Sequence, residues 1–442
     1  MRHNITMKQK IRKISLFLGD VVFAYVSLLI MVYWRFSPNF SWPIFFQHLW
    51  PFSILYFVWL IIFYIFGLYD LDLANPKGNF ATRLGAGLAV CLAVGVVFFY
   101  TVPLFGITPK TNLLINIVLL GVLILIWRQI FYWLFSALFL KQVGILGKNH
   151  WTDKLINEIK NNPQLGYRFV KFINVTQSLS QQIKKDKINT LIIAQNISQQ
   201  KILIRELYGC LGLKINFLNL ATAYETIFNK IPVDFIDQEW FLTNLAEGEK
   251  NAYDKIKRLS ELVLAVLIIL ISSPVWLSIA LLIKKEDKGK VFYKQQRYGK
   301  EGKIFWLYKF RTMKSDAEKN GPAWAAKNDQ RATKAGRILR KIHLDELPQM
   351  LNVLRGDISL IGPRPERPEF VKKLEREIPH YQLRHIIKPG FTGWAQIKFR
   401  YARTTMDSQE KFQYDLYYLK NRSLLLDLGI LLKTLQILFR GE

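Results

Sequence analysis

LVLAVLIILISSPVWLSIALLI, from Leu262 to Ile283, decides how this chain is built. These 22 residues carry no charge, and as a straight helix they would span about 33 Å, enough to cross hydrocarbon. The flanks argue against a plain crossing. Lys255, Lys257 and Arg258 precede the run, and Lys284, Lys285, Lys288 and Lys290 follow it, so both ends carry the basic residues of a cytoplasmic side. Ser273-Pro274 falls at the middle. Proline there removes a helix hydrogen bond and bends the chain, and a neighbouring hydroxyl can satisfy the freed carbonyl. The expectation is a re-entrant helix over about residues 259–283, broken at Ser273 and Pro274, that dips into the inner leaflet and returns.

Upstream lie four further apolar segments, roughly Ile14–Trp34, Pro43–Tyr69, Phe80–Val102 and Asn112–Leu140, each long enough to span a bilayer. Lys8, Lys10, Arg12 and Lys13 precede the first, and Lys141 and Lys148 follow the fourth. Four crossings that start and finish in the cytoplasm fit this pattern. The N-terminal segment lacks a small-residue cleavage site and reads as an uncleaved helix, not a signal peptide. Asp20 and Arg128 fall inside these segments at matching depth, which permits either an ion pair or separate snorkelling to the interface. The whole chain, 442 residues with 51% hydrophobic content and a formal charge of +28, is too long for one core. Apolar content and positive charge together suit membrane segments plus basic surfaces facing anionic lipids or phosphorylated substrates. No zinc-finger spacing or RNP-type motif supports nucleic acid as a partner. Two cysteines, Cys91 and Cys210, provide neither a disulfide framework nor a cysteine metal site.

From Lys141 to Leu242 the pattern changes. QVGILG, YRFVKFI, NTLIIA and KINFLNL read as strands, with helices at Thr152–Asn161 and KILIRELYGCL between them. Such alternation predicts a Rossmann-like parallel α/β domain over 141–250. Gly144 and Gly147 are not set as G-x-G-x-x-G, so the alternation alone does not imply nucleotide binding.

The charged motifs lie beyond. Ten Lys/Arg and three acidic residues fall between Lys284 and Arg311, most of them readable as a solvated basic face. In YKFRTM (Tyr308–Met313), strand alternation would set Lys309 and Arg311 on one face, a pair suited to a diphosphate. LRKIHLDELPQMLNVLRGD follows, with Asp345-Glu346 near Pro348 and Gly356 as helix start and end signals. The two carboxylates would sit at a helix N-terminus, where the dipole favours the ionised form. Adjacent acids can be simple caps, but Arg340 lies one turn upstream, and ISLIGPRPE would hold Arg364 and Glu366 in a proline-stiffened turn. Cations and carboxylates gathered this way suit a phosphoryl group with a divalent metal such as Mg²⁺.

SSP, YKFRTM, LRKIHLDELPQ, GDISLIGPRPE and KPGFTGWAQ, in that order from about Asp254 to Glu442, resemble the motifs of the polyprenyl-phosphate phosphoglycosyl transferases. The first 250 residues resemble the long members of that family in layout more than in motif. The resemblance implies a multi-domain membrane protein: a four-helix transmembrane bundle (1–140), a Rossmann-like, CoA-binding-like α/β domain (141–250), and a mainly α catalytic domain with a re-entrant membrane helix (251–442). It implies a bacterial inner-membrane location with both globular domains cytoplasmic. The implied reaction moves a sugar 1-phosphate from a UDP-sugar, glucose or galactose favoured, to undecaprenyl phosphate with release of UMP, initiating exopolysaccharide, capsule or O-antigen repeat units. Asp345 would be the covalent nucleophile, Glu346 would assist Mg²⁺ or proton handling, and both could ligate the metal. Lys309, Arg311, Arg340 and Arg364 would contact phosphate. Undecaprenyl phosphate, the UDP-sugar and inner-membrane lipids are the implied partners, and a homo-oligomer is compatible. His343 reads as structural, on the apolar side of IHLDEL.

Two other classes compete. A membrane-anchored nucleotide-sugar dehydratase would need a Tyr-x-x-x-Lys pair. Tyr167/Lys171 and Tyr253/Lys257 have that spacing, but without the glycine loop both read as chance. A non-catalytic scaffold of polysaccharide export would not need every candidate ligand retained.

Overall fold

The structure, a computed structural model, describes residues 3–69, 80–102, 110–137, 140–175, 178–195, 200–236, 238–245, 250–287, 289–314, 331–399 and 404–440. The chain divides into two compact units, Met1–Ile227 and Phe228–Glu442.

The first unit opens with helices α1 (His3–Phe36), α2 (Trp42–Ile65), α3 (Phe80–Thr101) and α4 (Lys110–Ala137), which pack on one another. All four are long and apolar enough to cross a membrane, and this is a membrane protein. Apolar side chains such as Trp50, Phe57, Tyr100 and Val118 face outward, as lipid-facing helices require. Polar groups point inward and find each other. Asn116 donates to Ser27 Oγ at 3.0 Å and to Tyr56 Oη at 2.9 Å. Arg128 makes two bonds to Asp20, 2.9 and 2.8 Å, with both side chains fully buried. Of the two readings for these charges, the ion pair is the one the fold adopts.

The α/β part follows as β1 (Lys141–Leu146), α5 (His150–Asn161), β2 (Tyr167–Ile173), α6 (Leu179–Lys185), β3 (Thr190–Ile193), α7 (Lys201–Gly209), β4 (Asn216–Asn219) and α8 (Leu220–Phe228). Its four strands form one all-parallel sheet ordered β2-β1-β3-β4, with Val143, Ile145, Leu191 and Ile192 buried. The turn after β1 is closed by a side chain. Asn149 caps α5 by accepting from Thr152 N at 3.0 Å and donates to Ala194 O at 3.0 Å.

The second unit begins with residues that the sequence pattern grouped with the α/β domain. Ile231, Val233, Ile236 and Phe241, the last on α9 (Gln238–Asn244), are buried in the core of this unit. Their neighbours there include Met350, Val353, Tyr381, Phe412 and Leu416. Helix α10 (Asn251–Asp287) is next and carries Pro274 within it. The expected break does not interrupt the helix. Ser273 Oγ donates to Leu270 O at 2.8 Å, the carbonyl that proline leaves without an amide partner. Both ends of α10 engage the same unit: Arg258 donates to Val353 O and Leu354 O (2.6 and 2.9 Å), and Glu286 accepts from Lys334 N and Ala335 N (2.6 and 3.1 Å). Between them Leu270, Ile271, Leu277 and Leu281 stand exposed.

Beyond α10, β5 (Phe292–Tyr298) and β6 (Ile304–Phe310) form an antiparallel hairpin. Helices α11 (Lys334–Lys341) and α12 (Gln349–Arg355) flank a 3₁₀ turn at Leu344–Glu346. Strands β7 (Ser359–Ile361) and β8 (Gly390–Thr392) pair in parallel around α13 (Pro368–Glu377) and the 3₁₀ turn Tyr381–His385. Helices α14 (Trp394–Lys398), α15 (Thr405–Asn421) and α16 (Leu424–Arg440) complete the unit.

Candidate active site

Asp345 and Glu346 stand on the 3₁₀ turn one step before α12, which Pro348 caps. They precede the helix and are not part of its first turn. Their presentation depends on His343, whose φ of 57° turns the backbone sharply into the left-handed region. His343 is exposed, so it sits at the surface and not on the apolar side expected for it. The two carboxylates are buried, at 7% and 8% exposure, which makes their partners decisive.

Glu346 is held on two sides. Lys309 Nζ, from β6, and Arg364 Nη2, from the loop after β7, both donate to its Oε1 at 2.7 Å. Burial alone would raise the Glu346 pKa, but Arg364 and Lys309 outweigh it and hold the carboxyl far below its ordinary range. Arg364 in turn is held above its usual value by Glu346. Asp345 is different: among the described residues nothing hydrogen-bonds its carboxylate. Burial pushes its pKa up; Lys309 opposes this and Glu346 adds to it. Arg340 donates from Nε to Thr312 Oγ1 at 2.9 Å, and its charge acts on Asp345.

Lys309, Arg340 and Arg364 are therefore brought to the carboxylates. Arg311 has other neighbours among the described residues. β6 ends at Phe310, Arg311 N bonds Val291 O at 2.9 Å, and its guanidinium lies against Gly289. Phe310 turns inward to Ile279, Ile283 and Leu339, as strand alternation predicts. Asn352 was not anticipated. It is fully buried; it donates to Trp306 O at 2.8 Å and accepts from Tyr308 N at 3.0 Å, fixing β6 and thus Lys309 beside the carboxylates. A lone amide inside the apolar run MLNVL (Met350–Leu354) is the available signal, because a buried amide needs partners.

Among the described residues no group of three or more His, Cys, Asp or Glu gathers, so no all-protein metal cage exists there. The carboxylate pair does fit Mg²⁺, which takes one or two carboxylates and completes its shell with substrate phosphate and water. Lys309 and Arg364 share Oε1 of Glu346, and the Asp345 carboxylate accepts no hydrogen bond among the described residues.

Residues 252–441 match the bacterial sugar transferase family. A UDP-glucose:undecaprenyl-phosphate glucose-1-phosphate transferase of Caulobacter vibrioides is 38% identical over 215 residues, 48% of this chain and 80% of that protein. The chain belongs to the bacterial sugar transferase family. Two longer relatives agree. A UDP-N-acetylgalactosamine-undecaprenyl-phosphate N-acetylgalactosaminephosphotransferase of Aeromonas hydrophila is 40% identical over 237 residues, 54% of this chain and 55% of that protein. A UDP-glucose:undecaprenyl-phosphate glucose-1-phosphate transferase of Escherichia coli K12 is 42% identical over 188 residues, 42% of this chain and 40% of that protein. The match thus spans about half the length of these two. The matched region covers every carboxylate and cation of this site. Both Tyr-x-x-x-Lys pairs are engaged in other contacts. Tyr167 is buried in β2 while Lys171 pairs with Asp186 at 2.5 Å; Tyr253 and Lys257 both bond Asp427, at 2.7 and 2.8 Å.

Proposed function

We propose that this protein transfers a sugar 1-phosphate from a UDP-sugar to undecaprenyl phosphate, releasing UMP, as the opening step of exopolysaccharide, capsule or O-antigen repeat-unit assembly. The observation that carries the reading is the unequal state of two adjacent buried carboxylates. Glu346 is bonded by two cations and stays ionised, whereas Asp345 is desolvated and, among the described residues, unbonded. A carboxylate stripped of hydrogen bonds is the stronger nucleophile.

In the first half-reaction an Asp345 oxygen attacks the sugar-linked phosphorus. The bond from that phosphorus to the bridging oxygen breaks, and UMP leaves with the electron pair. In the second, a phosphate oxygen of undecaprenyl phosphate attacks the same phosphorus and Asp345 departs as carboxylate. Lys309, Arg340 and Arg364 supply fixed positive charge where the phosphoryl oxygens gain negative charge. Glu346 orients Lys309 and Arg364 and takes part in metal or proton handling. Mg²⁺, held by Asp345 and Glu346 with substrate oxygens, would supply further charge neutralisation. Release of UMP by the full-length protein in nanodiscs, across a panel of UDP-glucose, UDP-galactose and UDP-N-acetylgalactosamine with undecaprenyl phosphate, tests this. No UMP from any of them would refute it, and nicotinamide-dependent dehydration would favour the rival enzyme class.

The same reading assigns four inner-membrane crossings to α1–α4, with both globular parts cytoplasmic, and a re-entrant path to α10. Basic flanks at both ends of α10 support the latter, as does the attachment of both ends, through Arg258 and Glu286, to one unit. Cysteines placed at 255 and 290 should label from the same side of sealed vesicles. Labelling from opposite sides contradicts re-entry.

A further inference from the structure

The loop that presents Arg364 has no regular secondary structure of its own, yet four consecutive carbonyls in it are each bonded from outside. Pro363 O accepts from Gly390 N at 2.8 Å, Arg364 O from Arg384 Nη2 at 2.9 Å, Pro365 O from Arg297 Nη1 at 3.0 Å, and Glu366 O from Tyr298 N at 3.1 Å. Two of these bonds come from main-chain amides, which their own strand holds in place. The other two come from guanidinium groups, which hold only if they are themselves anchored.

Arg384 is anchored. On the 3₁₀ turn Tyr381–His385 and 4% exposed, it also donates to Asp415 Oδ2 at 3.0 Å, and Asp415, on α15, is 3% exposed. One turn earlier on α15, Lys411 donates to Glu366 Oε1 at 2.9 Å, so one face of α15 grips the loop twice. A buried arginine–aspartate pair is a poor device for stability alone. Its desolvation cost rivals its Coulombic gain, and apolar residues of equal volume often serve as well. What the pair supplies here is direction. One nitrogen of Arg384 reaches both the Asp415 carboxylate and the main chain of the residue whose side chain bonds Glu346.

We propose that Arg384, clamped by Asp415, is a positioning residue that fixes the Arg364 main chain and so keeps the Arg364 guanidinium against Glu346 and the transferring phosphoryl group. It acts through Arg364 and does not touch substrate. The inference rests on the phosphoryl-transfer reading of the site.

The test uses the full chain in nanodiscs and four proteins: wild type, Arg384→Met, Arg364→Ala and the double variant. Arg384→Met should lower kcat for UMP release about 10²-fold, the loss expected when a catalytic group shifts by about 1 Å, with KM for the UDP-sugar unchanged. In the Arg364→Ala background the same substitution should cost nothing further, because the residue it acts through is gone. Multiplying losses would overturn the proposal, as would a folded Arg384→Met protein with wild-type kcat. If Arg384→Met does not fold, Asp415→Asn keeps the shape of the clamp and removes its charge, and the same two outcomes apply. Thermal midpoints of the four proteins give a second reading that needs no turnover. Non-additive shifts support the link between Arg384 and Arg364, and additive shifts refute it. A wild-type protein that released no UMP would refute the reaction, while the thermal cycle would still decide the positioning claim.

Discussion

Two buried ionic clusters, one in each unit, handle the same physical problem in opposite ways. Asp20 and Arg128 form a closed pair: two parallel bonds, both side chains fully buried, and the Arg128 guanidinium over the rings of Tyr69 and Phe80 at 5.8 and 5.5 Å. At Asp345 and Glu346 the compensation is lopsided. Lys309 and Arg364 both serve Glu346, and among the described residues Asp345 remains unbonded at similar burial. Balanced charge ties helices together and leaves nothing to react. Charge buried without its bonds is costly to fold and is spent on chemistry.

The contrast is measurable as a series of stabilities. Arg128→Met should have the largest effect, because it strands Asp20 among apolar helices; breaking such a pair costs about 3–5 kcal/mol. Glu346→Gln should cost less, about 1.5–3 kcal/mol for charge-assisted hydrogen bonds, since Lys309 and Arg364 keep 19% and 37% exposure and can turn to water. Asp345→Asn should cost least, because it removes a charge that burial already disfavours. Thermal midpoints in one detergent would check the order, and an Asp345→Asn protein less stable than Arg128→Met would break the comparison.

Sequence pattern carried the local features well. The four strands of the α/β part, its helices α5 and α7 (but not α6 and α8), the apolar helices and the inward turn of Phe310 follow from periodicity. So did the Asp20–Arg128 pairing as one of two options, because depth in a helix can be counted. Contacts between distant segments were another matter. Arg384 and Asp415 lie on separate elements, and nothing local marks them as partners. Ile231, Val233, Ile236 and Phe241 looked like the tail of the α/β domain because they follow it, but they fill the core of the next unit. Arg311 was grouped with Lys309 on the assumption that the strand runs through both. β6 ends one residue earlier, at Phe310, and the Arg311 guanidinium lies against Gly289.

The central claim is that Asp345 is the residue left free to attack. The most direct measurement is intact-protein and peptide mass spectrometry after incubating the full-length protein with Mg²⁺ and the UDP-sugar that yields UMP, without lipid acceptor, under acidic quench. A hexose-phosphate or N-acetylhexosamine-phosphate adduct on Asp345, discharged by undecaprenyl phosphate and absent from Asp345→Asn, is the predicted result. An Asp345→Asn protein that turns over at the wild-type rate without any adduct would contradict the claim and point to direct transfer between the two substrates.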